Sequence, residues 1–148
     1  MLDIATTILR SRPGHERQAL AVRLTAGAVF VGFSFGKFVR HEAERAALDR
    51  YGIPFPDTAT YLVGGLELVC GTALILGLFV RPSAFLLACN MIGAITTAGR
   101  VEGGPVHLLL APGLLLCMLF LLWIGPGSPS IDARLDRRRV SGEQPLAA

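Results

Sequence analysis

Charge is scarce in this chain. Of its 148 residues only 17% are Asp, Glu, Lys or Arg, against about 25% in ordinary soluble domains. Apolar residues make up 52% before the 17 glycines are added, and mean hydropathy is +0.55. A disordered chain is excluded, and a soluble enzyme or a nucleic-acid binder is a poor fit. The net charge of +3 and pI near 9.1 do not bring nucleic acid back as a partner. The basic residues flank long apolar runs, a placement that suits a membrane surface. Catalytic motifs are missing as well. No Walker loop, dinucleotide fingerprint or Ser-His-Asp set is present. The three histidines offer no pair for haem, and no metal site is expected. Cysteine is confined to Cys70, Cys89 and Cys117, with no Cys-x-x-Cys and no pair in a loop. They read as small apolar fillers, and no disulfide chemistry is expected of them.

What the chain does have is four apolar runs. A bilayer core about 30 Å thick needs roughly 17–25 apolar residues of helix. Residues 19–39, 59–80, 83–99 and 107–124 each supply such a run, bounded by charge, Gly or Pro. None alternates like a barrel strand. A chain of this length cannot bury four such helices in water. The expected fold is therefore all-α: an integral membrane bundle of four transmembrane helices over 19–124. An N-terminal segment 1–18 precedes it and a basic tail 125–148 follows. The first run is too long for a signal-peptide core, so it reads as an uncleaved span. Arginines gather at 10, 12, 17, 81, 134 and 137–139, outnumbering those at 40, 45, 50 and 100. That asymmetry predicts both termini in the cytoplasm.

The connections read as follows. Helix one is expected to continue out of the bilayer through 40–50, with Glu42 paired to Arg45, and to break at 51–56. Tyr51 and Phe55 are expected at the membrane interface. Arg81-Pro82 reads as a tight hairpin between spans two and three. Gly103-Gly104-Pro105 turns the chain into span four, which Pro112 should kink.

Ionisable residues inside a membrane are expensive and usually face the bundle interior. On helix one Ser34 lies about 20° to one side of Arg23 and Lys37 about 40° to the other, forming one stripe, although Arg23 and Lys37 can also snorkel to headgroups. Glu67 sits near the middle of span two, too deep to snorkel. Without a partner it would be protonated by desolvation; as a carboxylate it needs a cation, and Lys37 is the better placed. Gly64 and Gly71 flank it and let a neighbouring helix approach. Asn90, on a face with Ser83 and Thr97, suits interhelical hydrogen bonding. His107 reads as a boundary group. Gly32 and Gly36, on the far side of helix one, can support a homodimer. The candidate proton or ligand site is thus Glu67 with Lys37, Arg23 and Asn90.

These residues resemble the DoxX family of small bacterial membrane proteins. The likeness runs from Arg23 to Asp132. It includes Arg23-Leu24 … Gly36-Lys37, Gly64-Gly65-Leu66-Glu67-Leu68 … Gly77-Leu78-Phe79-Val80-Arg81, Asn90-Met91, and the tail Gly125-Pro126-Gly127-Ser128-Pro129-Ser130-Ile131-Asp132. Ser130 or Asp132 is expected to cap a basic surface helix running to Arg139. The resemblance implies a four-helix inner-membrane protein. Related chains include membrane subunits of thiosulfate:quinone oxidoreductase and proteins linked to thiol and oxidative-stress systems. It implies an accessory subunit serving a membrane or cytoplasmic redox partner. The alternatives are a quinone-binding oxidoreductase subunit, with quinone as cofactor and Glu67 as proton acceptor, and a small proton-coupled exporter.

Overall fold

A backbone in lipid has no water to bond, so each apolar run closes its hydrogen bonds within itself. The computed structural model describes residues 14–135, and the chain there is helical nearly throughout. The elements in chain order are α1 (Glu16–Val39), α2 (His41–Arg50), α3 (Pro56–Leu76), α4 (Val80–Thr96), the short α5 (Ala98–Val101), a π-helical turn (Val106–Leu110) and α6 (Ala111–Ile124). Four helices among the described residues are long and apolar enough to cross a bilayer: Glu16–Val39, Pro56–Leu76, Val80–Val101 and His107–Ile124. The protein is a multi-pass, all-helical membrane bundle.

Its packing follows from where side chains are small. α1 lies along α3, and α4 along α6. A Cβ on Gly27 would stand 2.8 Å from the Gly71 carbonyl oxygen, so the α1–α3 approach requires glycine on that face. Phe30, Leu74, Leu87, Met118 and Leu121 fill the core, while Leu62, Val69, Leu109 and Leu116 point outward to lipid. Gly32 also faces outward, with nothing within 4 Å of an added Cβ.

Several connections differ from the sequence reading. Span two stops at Leu76, and the link to span three is 77–79, not Arg81-Pro82. Gly77 takes φ +71° and ends α3, while Phe79 takes φ +48° before α4. Arg81 and Pro82 fall in the first turn of α4, where proline's missing N–H costs nothing. The donors that matter there are met from far along the chain. The Asp132 carboxylate accepts the N–H groups of Phe79 and Val80, both at 2.9 Å. Asp132 therefore caps α4 rather than its own helix. Ser130 caps the turn at 131–135, its Oγ accepting the Ala133 N–H at 3.1 Å. The expected continuation to Arg139 lies beyond the described residues. The start of the tail is thus built into the bundle end, with Ser130 and Asp132 buried.

At the other end, helix one does not run on unbroken through 40–50. The helical pattern breaks at Arg40, and α2 packs against α3, lying over the mouth of the bundle. Glu42 and Arg45 do pair, at 3.2 Å. Phe55 is exposed, but Tyr51 turns inward toward Glu102 and His107. In span four the irregularity precedes Pro112: the chain widens into the π turn at Val106–Leu110, and Pro112 stands in the first turn of α6.

Candidate functional site

The site begins with one short contact between α1 and α3. Ser34 Oγ donates to the Gly64 carbonyl oxygen at 2.7 Å. Gly64 leaves room for Phe38 and the Lys37 stem, which an added Cβ would meet at 3.3–3.6 Å. The two helices run antiparallel, so Lys37 and Glu67 stand one turn from this contact in opposite directions, and their long side chains close the gap between them. Lys37 Nζ lies 2.9 Å from Glu67 Oε2, with side-chain exposures of 16% and 5%. From α4, Asn90 Nδ2 donates to Glu67 Oε1 at 2.9 Å. The ammonium approaches Oε2 off the hydrogen-bonding direction. Oε2 thus has a charge partner but no hydrogen-bond donor among the described residues. A buried carboxylate oxygen in that state is poised to accept from something else.

Space for it exists. Glu67 and Lys37 border a cavity of about 240 Å³ walled by Phe30, Phe33, Met91, Leu110 and Leu114. A second cavity of about 340 Å³ shares Lys37 and Glu67 and extends to Asn90, Cys89 and Gly93. Both are roofed by Glu44, Ala47 and Tyr51 and bordered by His107. Pockets of roughly 300–1,000 Å³ with apolar walls and a few placed polar groups are the usual form of a small-molecule site.

The rim has its own polar network. Arg50 Nη2 donates to Glu102 Oε1 at 2.8 Å, tying α2 to the loop after span three. The Tyr51 hydroxyl also bonds to Glu102. Burial, and then the Glu102 carboxylate, push the phenol up to about 12. The Tyr51 ring meets His107 edge-on at 6.5 Å, and His107 Nδ1 lies 3.2 Å from the Gly103 carbonyl oxygen. Sequence reasoning left Glu102 unmarked and gave Tyr51 and His107 only boundary roles. Their place either side of two Gly-rich turns was the available signal, but nothing in their spacing says that they meet.

Arg23 does not belong to this site, although it shares a stripe with Lys37. Fourteen residues along a helix is about 21 Å, which puts it at the opposite end. There its Nη1 donates to the Pro126 carbonyl oxygen and its Nη2 to that of Pro129, both at 2.7 Å. Thr97 likewise turns away, its hydroxyl donating to the Gly93 carbonyl of its own helix. The three thiols are free, with Cys70 buried, Cys89 exposed and Cys117 between.

Comparison with known proteins gives the family. The DoxX family model matches residues 18–100, which takes in nearly all of α1 through α5 and the whole Lys37–Glu67–Asn90 cluster. The chain belongs to the DoxX family. It is also 35% identical to an uncharacterized membrane protein, Rv3486, of Mycobacterium tuberculosis, over 82% of this chain and 83% of that one. No solved structure matches it. The DoxX match stops short of span four, whose Leu110 and Leu114 complete the cavity wall.

Proposed function

We propose that this DoxX protein is an accessory membrane subunit of a redox system, and that it holds a quinone head group between its helices for a membrane or cytoplasmic redox partner. The observation that carries the reading is the buried Glu67 carboxylate at the floor of an apolar-walled cavity. One oxygen is held by Asn90, and the other is matched in charge by Lys37 but lacks a hydrogen-bond donor. The donor set fits a quinone. The Lys37 ammonium can polarise a carbonyl oxygen, Phe30 and Phe33 can flank a ring, and Glu67 Oε2 can accept a hydrogen bond from the hydroxyl of the reduced form, or its proton when that form is re-oxidised. A quinone bound there would supply the electron-accepting chemistry; the chain's residues position it, shield it from water and move its proton. The exporter reading has no observation of comparable specificity behind it.

The arginine asymmetry supports the Arg23 end as the cytoplasmic side, which sets the cavity mouth under α2 at the outer face. Gly32 and Gly36 support a homodimer seam, because they leave one face of α1 open. The deciding experiment is purification of the full chain in mild detergent, with mass spectrometry of bound protein and extracted quinone. Quinone should co-purify with the wild type and be lost from Glu67→Gln and Asn90→Leu. Wild-type protein carrying neither quinone nor a redox partner overturns the reading.

A further inference from the structure

A third cavity lies on the lipid side of the bundle. It is a groove of about 440 Å³ between α1 and α6, lined by Ala21, Val22, Thr25 and Val29 on one wall and Leu109, Gly113 and Cys117 on the other. Thr25 brings the only side-chain hydroxyl to an otherwise apolar lining. The groove exists because α1 leans on α3 and meets α6 only sparsely, and because Ala21 and Gly113 are small. On its own it would be one more place for bilayer tails. Two features make it more than that. Leu110 and Leu114 line both the groove and the cavity that holds Glu67, so the two spaces meet at one wall. The direction is also meaningful. Lys37 stands near one end of α1, while residues 21–29 occupy about 12 Å of the same helix running away from it, into the bilayer. A polar head at Lys37–Glu67 with a tail along 21–29 therefore has the posture of a lipid in one leaflet.

Resting on the quinone reading above, we infer that the α1–α6 groove seats the polyprenyl tail of the same quinone, and that the ligand enters sideways from the bilayer past Leu110 and Leu114. A tail in lipid is already in an apolar medium, so the groove gains by packing rather than by the hydrophobic effect. It therefore selects shape, and filling it should exclude the tail without touching the head site.

Gly113→Leu is the variant of choice. A Cβ there meets nothing within 4 Å, so the added side chain enters the groove rather than the core. Gly65→Leu, equally open by the same measure and outside all three cavities, is the control. The full chain is reconstituted in phosphatidylcholine nanodiscs with a long-chain polyprenyl benzoquinone carrying a photoreactive diazirine on its tail. A single-isoprene benzoquinone is titrated separately. The label should map to 21–29 and 109–117, and Gly113→Leu should weaken long-chain binding about tenfold while sparing the short-chain compound. Gly65→Leu should change neither. Labelling of the α3 or α4 face, equal long-chain binding by Gly113→Leu, or a diazirine phospholipid that labels the groove and resists displacement by the quinone overturns the inference. If the single-isoprene compound binds the wild type in a Glu67-dependent way, any of those results sinks the tail groove alone. If it does not bind at all, the quinone reading falls and takes the groove with it.

Discussion

The two ends of the bundle both bury charge, and they satisfy it differently. At one end Arg23, 2% exposed, spends its guanidinium on two backbone carbonyls of the tail, and Asp132, fully buried, spends both oxygens on the first amides of α4. Every hydrogen-bond partner is main chain, fixed by the fold, with the Asp132 charge nearby and Arg23 Nε left over, and a Cβ on Gly77 would already lie 2.6 Å from the guanidinium. At the other end Lys37, Glu67 and Asn90 satisfy one another through side chains, beside open space, with one carboxylate oxygen short of a donor. The first arrangement closes a structure; the second leaves room for a ligand. Burial alone does not separate them. What separates them is whether the partners are backbone and whether a cavity adjoins.

The comparison can be broken at its rigid end first. Arg23→Met should be the most damaging change, because each hydrogen bond from a charged group contributes about 1.5–3 kcal/mol. Loss of about 3 kcal/mol or more is expected in detergent unfolding, with little intact protein in membranes. Arg23→Lys should not rescue it, since an ammonium cannot span two carbonyls as a planar fork does. Next in size is Gly77→Ala, which forces a side chain into φ +71° and into contact with Arg23 and Ser130. A cost of about 1–3 kcal/mol should show as a lower unfolding midpoint with the helical signal unchanged. If either variant proved as stable as the wild type, the Arg23 end would not be the clamp described here.

At the ligand end the order of effects should reverse. Glu67→Gln should cost less than about 1 kcal/mol, as interhelical hydrogen bonds in membranes average about 0.6, yet abolish quinone retention. Adding Lys37→Met should restore any lost assembly, because it removes the unmatched cation, without restoring retention. Detergent unfolding beside a quinone assay separates the two quantities. A Glu67→Gln protein that unfolds readily and still retains quinone would make this end structural like the other.

The smallest effect concerns the rim. Tyr51 holds its proton up to about 12, through burial and Glu102. The folded value lies above the ordinary 10.0, so its contribution to stability is complete below that pH and disappears as pH climbs through the raised value. Ultraviolet titration of the phenolate band should show one late phase. Tyr51→Phe should delete that phase, and Glu102→Gln should move it earlier.

The spans were legible in the sequence because lipid imposes a length and an apolar content that few other constraints imitate. The Glu67 partner was legible too, since depth leaves a carboxylate few choices. The stripe on α1 misled over Arg23 because a helical wheel reports angle and discards height. The link at 77–79 was hidden because its stop signals are a glycine and a phenylalanine at positive φ, completed by an acid 52 or 53 positions away. Helix propensity forecast α2 but carried no information about its direction. The roof formed by Tyr51, Glu102 and His107 depends on that direction alone.

The Asp132 cap also has a consequence for synthesis. The chain is made from its N-terminus, so the first amides of α4 leave the ribosome long before the carboxylate that will receive them. Through all of that interval span three has an open end, and Arg23 waits for carbonyls not yet joined to the chain. A product cut short before residue 126 would carry all four spans and still be unlatched. The first helix is finished only by residues made after the fourth span.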